Sequence, residues 1–177
     1  FLDESFFQNL NVDKIKTNKQ KGLLFNTEIE SNKWTSKNVE LNDDISKIVN
    51  ELYTTDFIKN LSKLSKIKYL FSTNVGNTAL ANYHEMYESG FLGTHVDHSS
   101  EPNTGLPHVL NIILYLSKNW NTSWGGSTMF ANKNGIKIEK TIDYIPNRAV
   151  IFLHTPFTFH GVTKIQNNLT KRSTIYV

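Results

Sequence analysis

The stretch Tyr87-Glu88-Ser89-Gly90-Phe91-Leu92-Gly93-Thr94-His95-Val96-Asp97 decides how this chain is read. Along a β-strand successive side chains point to opposite faces, so His95 and Asp97, separated by Val96, aim an imidazole and a carboxylate at one point. Such a pair supplies two corners of a 2-His-1-carboxylate metal site, and the third must be a distant histidine brought alongside by the fold. A His-x-Asp tripeptide is common by chance, so its weight comes from what surrounds it.

What surrounds it is a run of short segments rich in β-branched and aromatic residues. They are Lys68 to Ser72, Thr78 to Met86, Thr94 to Asp97, Val109 to Leu116, Ser127 to Phe130, Ile136 to Ile142, Ala149 to Leu153, Thr158 to Thr163 and Lys171 to Val177. Gly, Asn, Pro and Ser fill the gaps. Many short strands with almost no helix after residue 70 predict a sandwich or barrel.

Upstream the period changes. Ile45, Ile48, Val49 and Leu52 fall at i, i+3, i+4 and i+7 behind a cap at Asn42 or Asp43, which predicts an amphipathic helix. A second helix is expected after Thr55 or Asp56, with Phe57, Ile58, Leu61 and Leu64 on one face and lysines on the other. Both should pack on the sheet. Residues 1–40 show no sustained period and fit a short helix followed by one or two strands, such as Gly22 to Phe25.

The chain has 177 residues, 38% of them hydrophobic and 20% charged, which suits one stable domain rather than a disordered chain. It has no cysteine, so a disulfide framework, thiolate catalysis and Cys-based metal sites are excluded, leaving His and carboxylate as metal ligands. A net charge of +3, from 19 basic against 16 acidic residues with no basic block, argues for a solvated surface and against a nucleic-acid partner. No apolar run reaches the ~18 residues of a membrane span. The opening Phe-Leu-Asp-Glu-Ser-Phe-Phe lacks the basic start of a secretory signal, so a cytoplasmic location is expected.

Five further histidines compete for the third ligand position. His98 is too near His95 to come from another strand, and His84 and His108, near strand ends, read as surface or partly buried polar groups. His154 and His160 flank Thr-Pro-Phe-Thr-Phe. His160 is preferred, because it opens His160-Gly161-Val162 and a basic pair, Lys171-Arg172, starts the last strand shortly after it.

These elements, taken in order, resemble the 2-oxoglutarate- and Fe(II)-dependent dioxygenases of the prolyl 4-hydroxylase-like branch. The resemblance rests on Tyr87-Glu88-Ser89-Gly90, His95-Val96-Asp97, Tyr115-Leu116 with Trp120, Gly125-Gly126, Pro146-Asn147-Arg148, Phe152, His160 and Lys171-Arg172, and spans residues 78 to 177. Each piece is weak alone, and the ordered set is specific. It implies a double-stranded β-helix core of the jelly-roll or cupin type over 71–177, with 1–70 as a supporting region whose helices pack on one sheet, all in one domain.

It also implies Fe(II) held by His95, Asp97 and His160, with 2-oxoglutarate and O2 as co-reagents. The far carboxylate of 2-oxoglutarate needs a cation inside the barrel, and a guanidinium fork suits it. Arg172 is the expected partner, with the Thr174 hydroxyl facing the same way; Lys171 with Ser173 is the alternative of opposite strand parity. Tyr115 and Tyr87 match tyrosines that contact the cosubstrate in relatives, although Tyr87 could equally fill the core. The implied reaction is hydroxylation of a C–H bond with decarboxylation of 2-oxoglutarate to succinate and CO2. The expected target is a prolyl residue of a peptide or protein, or else a free amino acid or other small molecule. Two other classes compete: a metal-free jelly-roll binding module, and a zinc hydrolase using the same three ligands.

Overall fold

The computed structural model describes residues 1–12, 22–37, 43–72, 81–97, 100, 104–166 and 169–177. The readings made for Asn42, for residues 78–80 and for His98 lie outside the described residues.

Helix α1, Glu4–Asn9, is capped by Asp3, whose carboxylate accepts from the Phe6 N–H. Strands β1, Gly22–Phe25, and β2, Glu30–Lys37, form an antiparallel pair. Helices α2, Asp43–Leu52, and α3, Thr55–Ser65, follow. The Thr54 hydroxyl caps α3 by accepting from Phe57 N, and the left-handed Lys66 ends it. The remaining strands are β3 (Asn82–His95), β4 (Leu110–Tyr115), β5 (Thr128–Ala131), β6 (Ile138–Ile142), β7 (Ala149–Leu153), β8 (His160–Val162) and β9 (Arg172–Tyr176). A 3-10 turn, Thr122–Trp124, precedes β5.

The strands join in the order β6-β5-β8-β3-β9-β4-β7, with β2 also paired to β3 and β1 to β2. Every pairing is antiparallel. The sheet curls into a half-barrel whose outer face is covered by helices. This is the mainly β, double-stranded β-helix architecture with N-terminal helices that the sequence leads one to expect.

Two apolar clusters account for the layers. On the outer face, Ile45, Ile48, Val49 and Leu52 of α2 pack with Tyr83 of β3, Leu114 of β4, Ile175 of β9 and Leu116 just beyond β4. At roughly 1.5–3 kcal/mol for each fully buried aliphatic side chain, this stripe holds α2 to the sheet. Inside the curl, Met86, Ile113, Tyr115, Trp120, Tyr144, Val150, Val162 and Ile165 form the second cluster.

Several expectations need correction. Lys68 to Ser72 forms no strand. Leu64, assigned to the buried stripe of α3, is 76% exposed, while Leu61 is buried; Leu64 sits in the last turn, next to the helix end at Ser65. The segments expected as two strands, up to Met86 and from Thr94, belong to one 14-residue strand. That strand ends at His95, so Val96 and Asp97 lie just beyond it.

Candidate functional site

His95 and His160 are direct cross-strand partners on β3 and β8, which places their rings side by side with centroids 4.5 Å apart. Asp97 turns back toward them. Its Oδ1 lies 3.5 Å from His95 Nε2 and its Oδ2 3.2 Å from His160 Nε2. One ligand atom from each of the three falls within 4.8 Å of the others, close enough to hold one metal ion.

The backbone sets the tautomers. His95 Nδ1 lies 3.0 Å from the Gly93 carbonyl, and His160 Nδ1 lies 3.2 Å from the Thr158 carbonyl. A ring nitrogen facing a carbonyl must carry the proton, which leaves both Nε2 lone pairs turned to the Asp97 side. Gly161 makes room for this approach, since a Cβ there would lie 2.4 Å from the Leu92 carbonyl oxygen.

Charge is distributed to match. Burial opposes ionisation of Asp97, but His95, His160 and the Tyr176 hydroxyl hold its carboxyl well below the usual carboxylate range. Burial pushes His160 down, with the Asp97 carboxylate opposing, so its imidazole stays neutral. His95 is also disfavoured by burial, yet its contacts with Asp97 and the Gly93 carbonyl win and raise it. Of the two imidazoles, His95 is therefore the one that takes up a second proton more readily while no metal competes.

A second polar feature lies on the inner face of the same sheet. Arg172 opens β9 and is only 3% exposed. Its Nε donates to the Gly126 carbonyl at 2.7 Å, and its guanidinium carbon lies 5.4 Å from the Tyr115 ring centroid and 5.1 Å from that of Tyr144. Its Nη2 is buried without a hydrogen-bond partner. An unused charged donor in a buried position is costly unless something arrives to accept from it. Gly126 has φ 71°, and a Cβ on it would come 2.9 Å from Trp120 Cζ2 and 3.0 Å from Arg172 Cδ, so this turn requires glycine.

Tyr115, paired with Thr174 across β4 and β9, shares a 2.6 Å hydrogen bond with the Thr128 hydroxyl. Thr174 lies between Arg172 and Tyr176 on β9, at the same strand parity as both, and is buried.

Two of the expected residues lie elsewhere. Tyr87 is 41% exposed and donates from its hydroxyl to Glu85. The Lys171 ammonium also binds Glu85, which in addition accepts from the Tyr83 hydroxyl at 2.9 Å. Tyr83 belongs to the helix-side cluster, so this group sits on the outer face. Strict alternation would have put Tyr87 and His95 on one face. The ladder breaks that alternation, because Lys33 pairs with Met86 but Ser31 pairs with Phe91, and Ser89 has φ 63°. Residues 87–90 are an insertion against β2, and a second register shift falls between Leu92 and His95.

Three neighbours of the cluster were not singled out from sequence. Asn111 Nδ2 donates to Asp97 Oδ2 at 2.8 Å, and the Tyr176 hydroxyl donates to the same oxygen. His84 stacks on the Tyr176 ring at 5.8 Å, nearly parallel at 9°. Its pKa is lowered to about 3, by burial and then by Lys33 and Arg172, so it is a neutral ring. Two signals were available: Asn111 is a lone polar residue within Val-Leu-Asn-Ile-Ile-Leu-Tyr, and Tyr176 is four residues from Arg172 on the same strand face. His154, the competitor of His160, turns its Nε2 to the Asp97 carbonyl oxygen and stays outside the ligand cluster.

Comparison with known proteins agrees with this geometry. Among solved structures, a Pseudomonas putida prolyl 4-hydroxylase superposes with a TM-score of 0.62 at 13% identity, covering 99% of this chain and 86% of that one. A Trichoplax adhaerens prolyl hydroxylase, solved with a hypoxia inducible factor oxygen degradation domain peptide fragment, gives 0.69 at 15% identity, covering 99% and 78%. A collagen prolyl hydroxylase of Paramecium Bursaria Chlorella virus-1, solved with 2OG, gives 0.53 at 15%, covering 82% and 76%. At these identities the likeness establishes the fold. No curated protein matches the chain by sequence. Among the described residues no helix is long and apolar enough to cross a membrane. The pattern of one family, the 2OG-Fe(II) oxygenase superfamily, matches residues 79–177. Because that span takes in more than half of the chain, this protein belongs to the 2OG-Fe(II) oxygenase superfamily, and Fe(II), 2-oxoglutarate and O2 are its reagents.

Proposed function

We propose that the chain acts as one catalytic domain that hydroxylates a prolyl residue of a peptide, converting 2-oxoglutarate to succinate and CO2. His95, Asp97 and His160 hold Fe(II), Arg172 receives the far carboxylate of 2-oxoglutarate, and Thr174 and Tyr115 line its berth. The observation that carries the reading is the buried Arg172 Nη2 without a partner, on the same sheet face as a His-Asp-His cluster. A donor set of two imidazoles and one carboxylate suits Fe(II) and leaves coordination positions free. A dicarboxylate answers the unused guanidinium donor with a charge-assisted hydrogen bond.

Bound iron supplies the oxidising power by which O2 attacks an unactivated C–H bond. The protein contributes placement and protonation state. The Gly93 and Thr158 carbonyls fix both imidazoles with Nε2 inward. Asp97 stays ionised, which gives a site of two neutral ligands and one charge when both imidazoles are neutral. The rings of Tyr115 and Tyr144 beside Arg172, with Trp120 against Tyr144, keep water from the guanidinium, so its attraction for a carboxylate is not spent on solvent.

Support for a prolyl peptide comes from the neighbours named prolyl hydroxylases, one of them solved with a peptide. The rim supports it too. Phe157 is an exposed apolar side chain in the turn between His154, whose ring touches the Asp97 carbonyl, and His160. A pyrrolidine ring carried on a peptide suits such a border better than a free, doubly charged amino acid. The test is a succinate assay over proline-containing peptides and free amino acids in the presence of Fe(II) and 2-oxoglutarate. Succinate formation stimulated by a prolyl peptide, with a mass gain of one oxygen on its proline, is expected. Stimulation by free amino acids alone overturns the substrate, and absence of succinate under every condition overturns the activity.

A further inference from the structure

Three side chains around the cluster have no part in the function proposed above, and they form a connected support. Asp97 Oδ2 accepts two hydrogen bonds, from Asn111 Nδ2 at 2.8 Å and from the Tyr176 hydroxyl. A carboxylate oxygen has two lone pairs in the carboxylate plane, so these donors occupy both. Oδ2 also lies 3.2 Å from His160 Nε2, which in the neutral ring turns a lone pair and no donor toward it, whereas Oδ1 faces His95 Nε2 at 3.5 Å and receives neither of the two donors. The donors come from two strands that flank the site, β4 and β9, while Asp97 sits beyond the end of β3 with no ladder to fix it. Without an anchor the carboxylate would rotate freely about its Cβ–Cγ bond. The Tyr176 ring is itself fixed by stacking on His84, whose backbone pairs with Thr174.

We propose that Asn111 and Tyr176 are positioning residues that hold Asp97 by Oδ2 and so present Oδ1 alone to the metal, with His84 as the platform that fixes Tyr176. This rests on the reading of Asp97 as a metal ligand. A carboxylate anchored on one oxygen binds through the other only, which keeps a coordination position that a two-oxygen mode would take. Hydrogen bonds to the ligating group also fix its orientation before metal arrives, so less freedom is lost on binding. Asn111 is the second residue of an otherwise apolar strand and is 4% exposed, where a polar side chain without such a partner would be disfavoured.

The test measures Mn(II) binding to the full chain without O2 or turnover, by the magnetic resonance signal of free Mn(II), for wild type, Tyr176→Phe, Asn111→Ala, the double variant and Asp97→Ala. Tyr176→Phe removes one hydroxyl and keeps the ring on His84. Each single variant should bind Mn(II) about 10- to 100-fold more weakly, as for other hydrogen-bond partners of metal ligands. The double variant should lose less than the product of the two, because both donors serve one oxygen. Thermal melting of the metal-free variants keeps the result decidable. A loss of affinity with an unchanged melting temperature supports positioning, and a loss matched by a fall in melting temperature contradicts it. Asn111→Ser, which keeps a shorter donor, should bind more tightly than Asn111→Ala. Affinities within twofold of wild type in both single variants overturn the proposal while leaving the site intact. Wild-type protein that binds no Mn(II), or Asp97→Ala that binds it as well as wild type, instead removes the reading beneath it.

Discussion

The two faces of the β3–β9 ladder carry neighbouring cations with opposite fates. On the outer face Lys171 meets Glu85, and the same carboxylate accepts from Tyr83 and Tyr87, so every charge there has its partner within the protein. On the inner face Arg172, the very next residue, spends one donor on the Gly126 carbonyl and leaves Nη2 buried with none. A buried cation that is fully answered is part of the scaffold. One left partly unanswered beside a metal-ligand cluster points to a ligand that is itself an anion.

That contrast can be broken at several points, and the largest effect belongs to the cluster itself. His160→Ala or Asp97→Ala should abolish Fe(II)-dependent succinate formation and lower Mn(II) affinity by at least ~100-fold, as read by metal titration. Next comes Arg172→Leu, which should raise the KM for 2-oxoglutarate about 10- to 150-fold. That factor corresponds to the loss of a charged hydrogen bond of roughly 1.5–3 kcal/mol, and steady-state kinetics checks it. Arg172→Lys should recover only part, because an ammonium cannot reproduce the fork.

Lys171→Met tests the other face. It should leave the 2-oxoglutarate KM within about twofold and instead cost roughly 1–3 kcal/mol of stability, because Glu85 loses its cation, as read by urea unfolding. Tyr87→Phe removes one exposed donor to the same carboxylate and should cost about 1 kcal/mol or less.

A pH effect sharpens the comparison at the metal side. Metal must displace the proton of His95, whose pKa is raised, while His160 is lowered and already neutral. Mn(II) affinity should therefore fall as pH drops through the His95 titration. Binding there should release about one proton, against none at higher pH, which calorimetry in buffers of different ionisation enthalpy measures.

Much of this was legible in the chain. The stripe Ile45, Ile48, Val49 and Leu52 announced α2, and the strand segments from Val109 onward fall within a few residues of those observed. His95, Asp97 and His160 could be read together because an ordered motif carries information that no single tripeptide does. Tyr87 was matched to the cosubstrate through the motif alone, with core filling as the alternative, and it lies on the outer face because nothing in Glu88-Ser89-Gly90 announces the number of residues that bulge out. Asn111 and Tyr176 were passed over for a related reason. Their role depends on which strands become neighbours, a tertiary fact, although a buried amide in an apolar run was a usable hint.

The most direct test is an anaerobic titration of the Fe(II)-loaded protein with 2-oxoglutarate, followed by visible absorption. Chelation of the metal by the keto acid should produce a charge-transfer band that saturates in wild type, and Arg172→Leu should require at least about tenfold more 2-oxoglutarate to reach it. A band that never forms, or one whose titration is the same in Arg172→Leu as in wild type, would contradict the assignment of the metal cluster and the buried guanidinium to one substrate.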